Sequence, residues 1–147
     1  MKKKSNKPKH KPLVFSQDIH PYRHEMLVCV GASADDAKKW LKEFGKKGVK
    51  DDYLKFVNDS EQCFLDVSTG KHLGMAFAQL QSHYLVLLLP KPKDVWEYWE
   101  SLLHELSHVL DWLCEWKMLI GETEARAYLH EWLFNQIRRK IQGIDKV

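Results

Sequence analysis

Residues 95–116 read VWEYWESLLHELSHVLDWLCEW, and this stretch decides the fold. Val95, Trp99, Leu102, Leu103, Leu106, Val109, Leu110 and Leu113 recur at steps of three and four. That is the period of an amphipathic helix, and it predicts one over 95–116. Gly121 breaks the pattern. A second helix is expected over 122–141, on Ala125, Leu129, Trp132, Leu133, Ile137 and Ile141. So short a connection makes the two helices an antiparallel hairpin.

Toward the N-terminus the period changes. Residues 84–89 (YLVLLL) form a continuous apolar run closed by Pro90 and Pro92, as expected of a buried strand. Residues 25–30 (EMLVCV), ending at Gly31, read the same way. Ser33 then stands as an N-cap with Asp35 and Asp36 in the first turn. Ala37, Trp40, Leu41 and Phe44 follow at helical spacing up to Gly45. Residues 45–60 are charged and give no clear period. Residues 62–67 read as a strand. A Ser68-Thr69-Gly70-Lys71 turn leads from it to a hairpin partner over 73–81. Ser82-His83 is a second break. The expected fold is α+β. It has a small mixed or antiparallel sheet of about four strands, a packed helix, and a C-terminal two-helix hairpin.

The chain has 147 residues, 44% of them hydrophobic and 12% aromatic, enough for one real core over residues 13–147. Five of its six Trp fall at 96, 99, 112, 116 and 132, so the densest packing is expected in the C-terminal half. Core or interface is the expected role of Trp96, Trp99, Trp112 and Trp116. Net charge is +3, yet six of the first eleven residues are Lys. Residues 1–12 are expected to be a disordered basic tail. The body shows no basic groove with interleaved aromatics, so nucleic acid is not an expected partner. Three Cys without CxxC spacing suggest free thiols rather than a disulfide framework or thiolate zinc site. No secretory leader is visible and the longest apolar run is too short to span a bilayer. A cytoplasmic protein without a membrane partner is expected.

The chemistry lies in His104-Glu105-Leu106-Ser107-His108. Two His four residues apart stand one turn apart on one helical face, where their imidazoles can converge on one zinc ion. Glu105, beside the first His, is placed to act as general base on a metal-activated water and to pass the proton to a leaving amine. Five-residue patterns of this kind arise by chance in about a few per cent of such chains. Its position mid-helix, after a sheet and before a second helix, therefore carries more weight than the match itself.

A zinc site of this type needs a third ligand. Glu122, Glu124, His130 and Glu131 are the candidates on the second helix. Its apolar stripe centres between Leu129, Leu133 and Ile137, whereas Glu124, Tyr128, Glu131 and Asn135 form a polar stripe. A polar face turned toward HELSH favours Glu124. Glu122 lies nearer the apolar face and also suits the helix dipole. Helix length argues the other way. If the first helix runs unbroken to Trp116, His108 lies about 12 Å from its end, and His130 and Glu131 come level with it.

These residues resemble the gluzincin group of zinc metallopeptidases, in which HExxH supplies two His and a downstream helix supplies a Glu. Residues 121–129 (GETEARAYL) are similar to small phage and prophage zincin-like proteins, whose ligand Glu often stands three residues before Ala-Tyr-Leu. That resemblance implies Glu124 as ligand. A second gluzincin pattern, with the Glu three residues before a single Ala, implies Glu122. The likeness spans roughly residues 84–135 and implies a zincin-like fold in which the C-terminal two-helix hairpin carries the metal site. The gap between the second His and the Glu is much shorter than in thermolysin-like enzymes. Tyr128 stands where those enzymes have an acidic residue, four positions after Glu124. Tyr128 is a candidate to bond a ligand His or the substrate oxyanion.

Asp111, one turn past His108, is a candidate to hold a His tautomer. His83 precedes the last strand and reads as a turn residue. His20, His24 and His72 show no ligand spacing and read as surface. The expected activity is hydrolysis of a peptide or protein substrate by a zinc metallopeptidase. It uses His104, His108 and Glu124 as ligands, Glu105 as base and Tyr128 in support. The alternative is a non-catalytic, zinc-stapled binding protein. Glu105 speaks against that alternative, because a closed structural site has no use for a carboxylate beside an open coordination position.

Overall fold

A computed structural model describes residues 11–119 and 121–147. The basic tail expected over residues 1–12 lies outside them except for its last two residues. The elements are β1 (Leu13–Ile19), β2 (His24–Val30), α1 (Ala34–Phe44), α2 (Lys50–Asp59), α3 (Glu61–Ser68), β3 (Met75–Gln79), β4 (Tyr84–Leu89), α4 (Trp96–Trp116) and α5 (Thr123–Ile141). The four strands form one mixed sheet in the order β1-β2-β4-β3. No helix among the described residues is long and apolar enough to cross a membrane.

The two central strands explain the layering. β2 and β4 pair in parallel, Met26 opposite Leu85 through Val30 opposite Leu89. Both are nearly unbroken apolar runs because both of their faces are covered. Met26, Val28, Val30, Leu85, Leu87 and Leu89 pack against α4 and α5. Leu27, Cys29, Val86 and Leu88 face α1, α2 and α3. Gly31 ends β2 at φ +59, and a Cβ there would stand 3.0 Å from Lys91 Cγ and 3.3 Å from Lys91 Cα. Glycine meets both constraints. α1 begins as expected: Ser33 accepts from the Asp36 amide and Asp36 from the Ser33 amide, a reciprocal capping box.

The structure departs from four expectations. Residues 62–67 are not a strand but the core of helix α3. Phe64 and Val67, three apart, turn inward as one helical face while Leu65 is exposed. A short apolar run does not reveal its period. The turn at 68–71 therefore leads from a helix to β3. The hairpin joins β3 to β4 across the Ser82-His83 break, with Gln79 opposite Tyr84. The fourth strand is β1, which pairs antiparallel with β2. Its polar letters concealed it. Gln17 points inward between Phe15 and Ile19 at 3% exposure, with its oxygen accepting from Lys140 at 2.6 Å and its amide donating to the Asp18 carbonyl. A buried amide so satisfied is tolerated in a core. Trp99, Trp112 and Trp116 lie half-buried against the α4 side of the core, but Trp96 is 65% exposed. It sits in the first turn of α4, before the helix meets the sheet.

Candidate functional site

α4 runs unbroken for 21 residues. Leu102, Leu106, Val109, Leu110 and Leu113 are fully buried along one stripe. That anchors the helix and leaves the opposite face, with His104 and His108, open to solvent. The two rings meet edge-on, 4.9 Å between centroids at 86°. Their Nε2 atoms are 3.3 Å apart. Zinc–nitrogen bonds of about 2.0–2.1 Å at a tetrahedral angle separate two nitrogens by about 3.3–3.4 Å. The pair thus has the spacing that two ligands of one tetrahedral ion require. Trp112 continues the face one turn on, its ring 6.5 Å from that of His108.

Glu105 points toward the sheet. Its Oε2 accepts from the Ala76 amide at 2.8 Å, on edge strand β3. The His pair is therefore bordered on one side by β3, through Glu105. On the other side lies α5, which packs antiparallel to α4 as expected. Arg126 donates to the Ser107 carbonyl at 3.3 Å and pairs with Asp111 at 2.7 Å. The His130 Nε2–H donates to the Leu103 carbonyl at 2.9 Å.

These contacts decide which face of α5 meets α4. Arg126 and His130, four apart, turn toward it. Glu124 is two residues from Arg126, about 200° around the helix, and therefore faces away. Tyr128 shares the Glu124 stripe and is 70% exposed. Glu131 is exposed as well. Glu122, the N-cap of α5, lines a cavity with Asp111, Glu115 and Arg126 at the C-terminal end of α4. Asp111 is held by Arg126, and among the described residues it bonds neither His. Among the described residues no third Cys, His, Asp or Glu completes a metal-holding group with the pair. The structure thus unites His104 and His108 and sets Glu105, the next residue of α4, against β3, while Glu124, Tyr128 and Glu131 are exposed and His130 is tied to the Leu103 carbonyl. The unbroken α4 is the physical reason. It carries the pair well away from the α4–α5 turn, so that Arg126 and His130 come abreast of the motif.

Three residues escaped the sequence reading. Arg126 fixes how α5 sits on α4, and Gly74 and Ala76 border Glu105. The alternation of small residues at 74, 76 and 78 within LGMAFAQ was the available signal for the last two. His24, read as surface, is half-buried with its ring 5.6 Å from that of Trp116. Burial lowers its pKa, against the raising effect of its contact with the His83 carbonyl at 2.8 Å. His83 is a turn residue, as expected, at φ +57, and its ring stacks on Trp116 at 4.4 Å.

No protein-family model, curated protein or solved structure matches the chain.

Proposed function

We propose that this chain is a zinc-dependent hydrolase of zincin-like architecture, a metallopeptidase cleaving peptide bonds in a peptide or protein substrate. The observation that carries the reading is the 3.3 Å separation of the His104 and His108 Nε2 atoms on an exposed helical face, with a carboxylate as the next residue after His104. The donors suit the ion, since imidazole nitrogen is a common zinc ligand and 3.3 Å is compatible with two donors on one tetrahedral ion. Zinc bound there supplies a Lewis acid and acidifies a water molecule. Glu105 takes the proton of the attacking water and delivers it to the leaving amine. The third donor would come from the start of α5, from Glu124 in its first turn or Glu122 at its N-cap. Glu124 has the support of the GETEARAYL resemblance, and Glu122 that of the cavity it lines with Asp111 of α4. Bringing Glu124 to the pair requires that first turn to rotate against α4. Tyr128 follows Glu124 by one turn and moves with it, which suits a role as hydrogen-bond donor to the oxyanion.

The activity is tested with fluorescein-labelled casein. Hydrolysis should be abolished by EDTA and restored by zinc. Turnover indifferent to EDTA would remove the metal from the reaction, and zinc binding without turnover would favour the zinc-stapled binding protein.

The third ligand is separable by substitution. Glu124→Ala should weaken zinc binding by more than about 100-fold, beyond the roughly 10–100-fold cost of losing a supporting residue. Glu122→Ala should cost less. Competition against a chelator of known affinity measures both, and the reverse order moves the ligand role to Glu122.

A further inference from the structure

β3 is an edge strand, and its free side is occupied by Glu105. In an antiparallel ladder alternate residues direct their N–H away from the partner strand. Ala76 is one of these, and its N–H goes to Glu105 Oε2 at 2.8 Å. Two residues earlier, a Cβ at position 74 would stand 3.3 Å from Glu105 Cγ and 3.3 Å from Leu89 Cδ2. Met75 and Phe77 turn to the opposite layer, and Ala76 and Ala78 face α4. Toward the catalytic helix, then, Gly74 and the strand that follows it present only hydrogen and methyl groups, and α4 rides close against them.

We propose that Gly74 and Ala76 form a seat that positions Glu105 for the hydrolysis described above, a reading on which this inference rests. The bare Cα of Gly74 admits the aliphatic stem of Glu105, and the Ala76 amide fixes one carboxylate oxygen. A glutamate on a free stem samples several rotamers. A charge-assisted bond to a strand held by its own ladder selects one of them. That rotamer holds one carboxylate oxygen at the Ala76 amide, leaving the second oxygen for the proton. Gly74 and Ala76 touch Glu105 and not the reacting atoms, so they are positioning residues.

The seat has a readout independent of turnover. Hydrogen exchange of the Ala76 amide, followed by NMR on the full chain, should accelerate about tenfold or more in Glu105→Ala, the loss expected for a bond to a charged acceptor. The Phe77 amide, which belongs to the ladder with β4, should be unchanged. Equal Ala76 exchange in the two proteins overturns the seat, whatever the activity. Catalysis gives the second arm, with zinc-loaded protein and labelled casein. Ala76→Pro removes the donor but no ladder bond, because that N–H faces away from β4. It should lower kcat about tenfold or more at unchanged KM and zinc content. Ala76→Ser keeps the N–H and should retain kcat. Equal losses in both variants overturn the proposal, because they mark a disturbance of the strand rather than a lost donor. A wild-type protein without casein turnover counts against the peptidase reading alone, and amide exchange then decides the seat.

Discussion

Glu105→Gln should retain zinc and lose hydrolysis by about 10²–10⁴-fold, the usual contribution of a positioned acid–base group. Glutamine is nearly isosteric, and its oxygen can still accept from the Ala76 amide, as the carboxylate does at 2.8 Å. The substitution therefore removes proton transfer while sparing the local packing. It also spares the His pair, which lies on the solvent side of α4 while Glu105 faces β3. The expected signature is a fall in kcat with zinc content unchanged. Turnover within about twofold of wild type would remove Glu105 as the base. Loss of zinc together with activity would show instead that Glu105 supports the ion.

Leu133→Ala should destabilise the protein by about 2–5 kcal/mol, the cost of truncating a buried leucine and leaving a cavity. Leu133 is fully buried, in the cluster that joins α5 to α4 and the sheet. A domain of this size has only about 5–15 kcal/mol to lose, so the urea midpoint should fall steeply. Leu73→Ala is the control. Leu73 is 68% exposed, and its truncation should change stability by less than about 0.5 kcal/mol. Similar midpoints for the two variants would mean that α5 does not complete the core.

The elements that were legible in the sequence share one property: their patterns were long or unmixed. α4 shows five turns of a single period, and β2 and β4 are almost wholly apolar. β1 was not legible because its inward Gln17 breaks the alternation, and its partner Lys140 lies 123 residues away. α3 was misread because two turns of helix and a short strand have the same letters. The site divides in the same way. His104, Glu105 and His108 are local to one helix, so their spacing fixes their geometry. The choice of a third ligand would depend on where α4 ends and how α5 rotates upon it. Those are set by tertiary contacts such as Arg126 with Asp111 and His130 with the Leu103 carbonyl, which no spacing rule contains. The seat on β3 is also a long-range contact, and its trace in the sequence is the row of small residues at 74, 76 and 78.

A metal centre at the His104–His108 pair is tested by the zinc content of purified protein, measured by elemental mass spectrometry beside His104→Ala and His108→Ala. The wild type should carry one zinc per chain and either variant almost none, with folding retained because both side chains are exposed on α4. A wild-type chain that takes up no zinc, or variants that keep it, would contradict the assignment of a metal centre to the His104–His108 pair.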